Sequence, residues 1–225
     1  MIRILAILVA LIIAYVLSPK YLLAKKVECY TQYGPCPSYL AEGLDSFLAT
    51  PLLRPLPSAR AKAVLSAYPQ IRSVALFRRL PSTLVVSVDL RRPIGQVLGT
   101  KSERSQFALV DESGIVFSQS TGSLALPLLT IPSPVELNTR LATTQVAAVQ
   151  ALHRLSLLGI GIPTGTIVNT DLLVEMQNGL HIVINLNRPI PQWYSSLQVI
   201  LDRSKISSKF PKKIDMRFTN PVLTY

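Results

Sequence analysis

Two histidines and a few carboxylates are the residues of this sequence that could carry acid–base chemistry. Glu175 and His181 flank a predicted β-turn, so they face each other across a hairpin and could act as a general acid–base pair. His153 lies beside Arg154 in a predicted helix. We interpret His153 as a surface residue and the Glu175–His181 pair as a polar contact on the solvent side of a sheet.

The other residue patterns that enzymes use are missing from the sequence. The 12 acidic residues are dispersed, whereas a glycosidase needs two converging carboxylates. No glycine-rich phosphate loop follows a predicted strand, and no serine lies in a nucleophile-elbow sequence. The sequence therefore predicts a protein that is not an enzyme and that has no cofactor and no metal site.

The two cysteines, Cys29 and Cys36, lie close together in the segment CYTQYGPC. A pair without a spare thiol suits a small disulfide loop in an oxidising compartment. A metal site is not expected, because no other cysteine or histidine lies near enough in the sequence to complete four ligands. The alternative to a disulfide is a pair of unpaired, buried thiols.

The N-terminal residues predict a membrane anchor. Residues 4–17 form an uninterrupted apolar run behind Arg3, at the short end for a membrane-spanning helix of ~20 residues. No clear small-x-small cleavage site follows the run, so we interpret residues 1–24 as a short cytoplasmic start and a transmembrane signal-anchor rather than a removable signal peptide. With either a signal-anchor or a signal peptide, the rest of the chain would be exported. The signal-anchor interpretation makes the protein a single-pass cell membrane protein.

The distribution of lysines around the apolar run argues for the opposite orientation. Lys20, Lys25 and Lys26 follow the run, whereas Arg3 is the one basic side chain before it. Taken alone, the positive-inside rule would keep the bulk of the chain in the cytoplasm. The extracytoplasmic location is therefore inferred from the other features of the sequence.

The chain is strongly basic, with a net charge of +11 from 23 Lys+Arg and 12 Asp+Glu. Such a charge favours anionic surroundings, among them anionic lipid and acidic cell-wall polymers. A solvated basic surface without a single partner is the alternative. Nucleic acid is not predicted as a partner, because the basic residues are scattered and no aromatic stacking platform accompanies them.

The residues after the anchor predict a small α+β domain. Residues 27–33 have the composition of a strand, and two short amphipathic helices begin near Ser38 and Ser58. Two alternating strands, residues 71–79 and 82–90, then form a hairpin. Two helices on one face of a three-stranded sheet make a complete small domain.

The second half of the sequence predicts hairpins and two helices, an α+β unit on a mostly antiparallel sheet. Gly114 is suited to positive φ in the turn DESG, and residues 140–158 read as one long helix. In the hairpin that follows, a three-residue loop ending at Gly179 places Val174 opposite Ile182 and collects the apolar side chains on one face. A last helix starts after Pro191.

The chain ends on a patterned segment, KKIDMRFTNPVLTY. Ile214, Met216 and Phe218 alternate with charged residues, which predicts a half-buried strand. Pro221 has no N–H to donate, which suits an edge strand. An open edge invites pairing with another chain unless it is charged or covered, so a partner strand could complete this sheet.

Three motifs in this order resemble the FtsQ/DivIB family of bacterial cell division proteins, in which a POTRA (polypeptide-transport-associated) domain precedes a β domain. The segment IRSVALFRRLPSTLVVSVDLRRP resembles the family's POTRA hairpin at Arg79, Leu80, Pro81, Thr83, Leu84, Arg92 and Pro93. The segment FALVDESGIVF resembles a turn of its second domain at Asp111, Gly114 and Phe117. The segment KKIDMRFTNP resembles its terminal motif at Ile214, Asp215, Arg217, Phe218, Asn220 and Pro221.

The resemblance implies a POTRA domain (β-α-α-β-β) over residues 25–97 and an FtsQ-type β domain over residues 98–225. It also implies a non-catalytic, bitopic component of the division septum that binds FtsB- and FtsL-like proteins by strand addition and helps control septal peptidoglycan synthesis. The implied partner-binding edge strand consists of Ile214, Asp215, Met216, Arg217, Phe218 and Thr219. The alternative is a POTRA-bearing extracytoplasmic chaperone or secretion component that binds exported polypeptides.

Overall fold

The computed structural model of the protein describes residues 23–52, 55–100 and 106–225. They form an α+β structure with mixed sheets, and the chain divides into two compact units after Arg91. The predicted membrane anchor, residues 1–24, lies outside the described residues except for Leu23 and Ala24. Within the described ranges, no helix combines the length and the apolar character needed to cross a membrane.

The first unit is a four-stranded sheet with short helices on one face. Its sheet has the order β2-β1-β4-β3, in which β1 runs parallel to β4 and the other pairs are antiparallel. Its elements are β1 (Lys26–Thr31), β2 (Gly34–Pro35), α1 (Ser38–Ala41), a 3-10 helix (Glu42–Phe47), α2 (Ser58–Leu65), β3 (Ile71–Arg79) and β4 (Thr83–Leu90).

The core of the first unit follows the predicted alternation. Leu84, Val86 and Val88 on β4 are fully buried beneath the helices, because alternate side chains of a strand point to one face. Phe47 is also fully buried, whereas Leu48, the next residue, is 46% exposed. The cause is the change from α1 to a 3-10 helix, which ends at Phe47 and so takes Leu48 out of the helical periodicity.

The second unit is a nine-stranded sheet of order β13-β12-β11-β10-β9-β8-β5-β6-β7. The pairs β5/β8, β8/β9 and β11/β12 are parallel and the other pairs are antiparallel. Its elements are β5 (Gly95–Gly99), β6 (Phe107–Val110), β7 (Val116–Ser120), β8 (Leu128–Ile131), α3 (Thr143–Ser156), β9 (Pro163–Val168), β10 (Asp171–Met176), β11 (His181–Asn185), α4 (Ile190–Ser207), β12 (Lys213–Asp215) and β13 (Val222–Thr224).

The second unit begins earlier than the sequence predicts. The predicted boundary falls after Val97, in the middle of β5, whereas the structure divides the chain after Arg91. The reason is that β5 pairs with β6 and β8 and so belongs to the larger sheet.

Helices α3 and α4 supply buried side chains to one core with the larger sheet. Leu152 of α3 and Trp193 of α4 are 1% exposed. Gly165 on β9 lets α3 approach closely, since a Cβ there would lie 3.0 Å from the Leu152 side chain. The predicted hairpin register is confirmed: Val174 pairs with Ile182 and Gly179 has a φ of 81°.

The turn between β6 and β7 is built around a buried carboxylate. Asp111 accepts hydrogen bonds from the backbone N–H of Ser113 at 3.0 Å and of Ile115 at 2.9 Å. Gly114 has a φ of 79° in this turn, as the sequence predicts, and a Cβ there would overlap the side chain of Val146 on α3. Glycine is thus required at this position both by the backbone and by the packing of α3.

A Gly114→Ala variant is expected to destabilise the second unit by about 1–3 kcal/mol, through positive φ and overpacking against Val146. The measurement is urea unfolding followed by fluorescence of Trp193, the single tryptophan of the chain. Gly122→Ala is the matched control, because a Cβ at Gly122 meets no atom within 4 Å. Equal midpoints for the two variants would contradict this account of the turn.

Candidate partner-binding edge

The C-terminal end of the larger sheet has one more strand than the sequence predicts. Strand β12 pairs with β11 on one side, Ile214 opposite Ile182, and with β13 on the other, Ile214 opposite Leu223. The predicted edge strand is therefore an inner strand, and β13 forms the edge. We refer to β12, β13 and the residues between them, 213–224, as the C-terminal edge.

The residues of the predicted edge strand divide into two groups. Ile214 and Met216 are buried as predicted, at 0% and 1% exposure. Phe218 was expected to face inward but is 55% exposed, and β12 ends at Asp215, so that Met216, Arg217, Phe218 and Thr219 lie outside the strand. The prediction of a continuous strand over residues 214–219 is wrong, because the chain turns at Arg217.

An ion pair between Asp215 and Arg217 fixes this turn. The Arg217 Nε donates to both carboxylate oxygens of Asp215 at 3.0 and 3.1 Å, and its Nη2 donates at 2.6 Å. The backbone N–H of Arg217 donates to the same carboxylate at 3.1 Å. Because the two side chains point to each other, Asp215 is only 8% exposed, although the alternating pattern predicted a solvated charge.

Three residues distant in the sequence hold the turn from outside. Arg217 Nη1 lies 3.3 Å from a carboxylate oxygen of Asp171, whose other oxygen accepts a hydrogen bond from Asn185 at 3.0 Å. Arg188 Nη1 donates to the carbonyl oxygens of Met216 at 2.9 Å and Phe218 at 2.6 Å. The sequence did not predict these contacts. One available signal was the predicted hairpin register, which places Asp171 opposite Asn185 as a polar pair.

The hydrogen bonds from Arg217 hold the pKa of Asp215 below its ordinary value, against the opposing effect of burial. A carboxyl whose pKa is lowered by folding stabilises the folded state above its unfolded pKa of about 4, and that stabilisation is lost as the pH falls through the folded value. The contribution of Asp215 to stability is therefore present at neutral pH and absent in strong acid.

An Asp215→Asn variant is expected to be less stable than the wild type at pH 7 by about 1 kcal/mol, a modest figure because Arg217 is partly solvated. The difference should shrink on titration from pH 7 to pH 2, as the wild-type carboxylate becomes protonated. Urea unfolding at several pH values measures it. Asp202→Asn, which removes an exposed partner of Lys205, is the control. A pH-independent difference between wild type and Asp215→Asn would contradict the assignment.

The residues of the first predicted motif lie mainly in the hairpin of the first unit. Arg79 Nη1 pairs with Glu28 on β1 at 2.8 Å, and Leu84 is fully buried. Thr83 pairs with Lys26 in the sheet, and Pro81 lies between β3 and β4. Arg92 and Pro93, in contrast, belong to the second unit. The motif residues of the first unit therefore stabilise the hairpin and its packing. Strand β3 of this hairpin forms one edge of the smaller sheet.

Cys29 on β1 and Cys36, the residue after β2, form a disulfide. The loop between them also covers β4: the Gln32 side chain donates to the Leu90 carbonyl at 2.7 Å and accepts from the Leu90 N–H at 2.9 Å. This amide continues the β1–β4 ladder beyond its last backbone pair, Thr31 with Val88. The loop also contains β2, which pairs with the outer side of β1 and so covers part of one edge of the smaller sheet.

The residues that could carry acid–base chemistry lie apart from the buried core. Glu175 and His181 are cross-strand partners with exposed side chains, as predicted, on a groove of about 450 Å³ that also includes Lys213. His153 is half-buried on α3. In the ranges that the structure describes, no group of three His, Cys, Asp or Glu residues is placed to hold a metal ion.

Comparison with known proteins assigns no family. A scan of the chain against known protein families found no match, and a search of curated proteins found none. The structure defines the class of protein as a two-unit α+β protein with mixed sheets, the larger of which ends in two short strands, β12 and β13.

Proposed function

We propose that the protein is a non-catalytic, single-pass membrane component of the bacterial division machinery, of the FtsQ/DivIB type. Its exported part binds FtsB- or FtsL-like partners at the C-terminal edge by β-strand pairing, and in this way it helps control septal peptidoglycan synthesis. The observation that carries the proposal is the position of the terminal motif, Ile214, Asp215, Arg217 and Phe218, at the end of a nine-stranded sheet.

The two ends of the larger sheet differ in how well they are covered. At the β7 end, the N–H of Val116 donates to the Thr139 carbonyl at 2.9 Å, and Asn138 N–H donates to the Val116 carbonyl at 2.8 Å. At the other end, β13 pairs with no strand beyond β12 among the residues that the structure describes. A partner strand gains backbone hydrogen bonds where they are not already satisfied, which favours the C-terminal edge.

The order of elements in the first unit also supports the proposal. A strand, two helical segments and a hairpin follow one another, with β1 parallel to the second strand of the hairpin. Apart from the additional two-residue strand β2, this is the β-α-α-β-β order that the resemblance implies for a POTRA domain. The membrane anchor is inferred from the sequence, since residues 1–22 lie outside the described ranges. The septal location is inferred from the resemblance to the FtsQ/DivIB family.

A second candidate function has support from β3. This strand spans nine residues, forms an edge of the smaller sheet and carries Phe77 with 55% exposure. Such an edge suits the binding of extended, partly apolar polypeptides. The alternative is thus a POTRA-bearing extracytoplasmic component that binds exported polypeptides through β3.

Site-specific photo-crosslinking in growing cells distinguishes the two functions. A photoreactive residue replaces Lys213 at the C-terminal edge, Phe77 on β3, or Arg203, an exposed residue of α4 that serves as the control. The proposal expects adducts with division proteins from position 213 and not from 203. Adducts with a broad range of exported polypeptides from position 77, with none from 213, would favour the alternative and contradict the proposal.

A further inference from the structure

Strand β13 is attached weakly to the rest of the second unit. It consists of Val222, Leu223 and Thr224, directly after Pro221. Val222 is 53% exposed and Tyr225 is 62% exposed. Only Leu223 is partly buried against the core, opposite Ile214. A strand of three residues with one apolar anchor contributes few contacts.

Strand β12, in contrast, is held by contacts that do not involve β13. It pairs with β11 through three residues, and its Ile214 belongs to the core that contains Trp193 and Leu197 of α4. Asp215 is fixed by Arg217, and Arg188 holds the carbonyl oxygens of Met216 and Phe218. The chain is therefore fixed up to Phe218. Release of β13 would leave β12 in place, with its outer backbone groups free to pair.

We propose that β13 is a displaceable strand that occupies the binding edge of β12, and that a partner's extended segment replaces it instead of adding outside it. This inference rests on the proposed function and specifies how the same edge is regulated. In the absence of a partner the chain covers its own edge, which limits aggregation. A partner binds by exchanging its strand for β13.

The surroundings of β13 define the segment that fits. The residue opposite Ile214 must be apolar, because Leu223 is the side chain that contacts the core. Its two neighbours point to the solvent face, where Val222 lies opposite Asp215 and Thr224 opposite Lys213. Asp215 is already paired with Arg217, whereas an acidic residue opposite Lys213 would add a cross-strand ion pair. The partner is thus an extended segment with an apolar residue and a nearby acidic residue.

A tethered strand competes strongly with a free one. A strand joined by a short linker has an effective concentration in the millimolar range, so a free copy of it binds the intact chain poorly. Removal of β13 removes this competitor. We therefore expect the apparent affinity for a free strand to rise by at least about tenfold when β13 is deleted or loosened.

Fluorescence anisotropy with a labelled synthetic peptide tests the proposal. The peptide is TNPVLTY, the sequence of residues 219–225, and the protein is the full chain in detergent micelles. Binding is compared among wild type, a chain ending at Asn220, Leu223→Ser and the matched control Val222→Ser. We expect the truncated and Leu223→Ser chains to bind at least about tenfold more tightly than wild type, and Val222→Ser to resemble wild type.

A second peptide tests the predicted acidic preference. With glutamate in place of the residue that matches Thr224, the peptide should bind the truncated chain more tightly than TNPVLTY. That gain should disappear in a truncated chain that also carries Lys213→Gln, since the pair would then be absent.

Circular dichroism tests whether each chain is folded. If the truncated chain is unfolded, the comparison of Leu223→Ser with wild type alone tests the displacement of β13. Equal or weaker peptide binding by these chains would overturn the displacement of β13, and weaker binding would indicate addition outside β13. In that case, crosslinking of division proteins at position 213 would still test the proposed function. Failure of the displacement is thus distinguishable from failure of the proposed function.

Discussion

Replacement of Ile214 by aspartate is expected to abolish the cooperative unfolding transition of the second unit. Ile214 is fully buried in the core that contains Trp193 and Leu197 of α4. A carboxylate at this position would be buried without a partner, at a cost of about 4–5 kcal/mol or more. Because domains have a total stability of about 5–15 kcal/mol, such a loss removes most of the folded population.

Trp193 makes this effect simple to measure. It is the single tryptophan of the chain and is 1% exposed, so its emission reports the second unit. In Ile214→Asp the emission should be red-shifted before any denaturant is added. Phe218→Asp is the matched control, since the same alternating pattern predicted both residues to be buried and Phe218 is 55% exposed. Equal unfolding midpoints for the two variants would contradict the observed turn at Arg217.

Removal of the disulfide is expected to have the second large effect, confined to the first unit. Replacing both Cys29 and Cys36 by serine should destabilise this unit by about 2–4 kcal/mol, because the closed loop restricts the unfolded chain. The loop also carries Gln32, whose side chain pairs with the backbone of Leu90. Far-UV circular dichroism should show an earlier transition, while Trp193 fluorescence keeps its midpoint.

Reduced wild type is the control for the cysteine variant, and it should unfold at the same midpoint as the double serine chain.

The oxidation state of Cys29 and Cys36 in cells tests which compartment contains the chain. If the chain is exported, its two thiols should resist alkylation until a reductant is added. Alkylation of both thiols in unreduced cell extracts would contradict the disulfide and the extracytoplasmic location together.

Local patterns determined the parts of the fold that could be predicted. The β10/β11 register follows from the sequence because one loop length alone puts Val174 and Ile182 on the same face, with Gly179 free to adopt positive φ. The turn at Asp111 was equally local, since its acceptor and donors lie within four residues. In such segments the local preference and the tertiary structure agree.

Non-local contacts determined the parts that could not be predicted. The pattern of Ile214, Met216 and Phe218 continues that of a strand, but Asp171 and Arg188, far back in the sequence, draw the chain into a turn. Strand β13 is too short for a period-two pattern to be detected. Similarly, β5 joins the larger sheet through a parallel pairing with β8, a choice that depends on the crossover and not on the local sequence.

The most direct measurement of the proposed function is the distribution of a fluorescent fusion in dividing cells. The fluorescent protein is placed at the N-terminus so that the C-terminal edge stays unmodified, and the ratio of midcell to lateral membrane fluorescence is recorded. A division component of the proposed type predicts enrichment at midcell during constriction. Uniform labelling of the membrane throughout the cell cycle would contradict it.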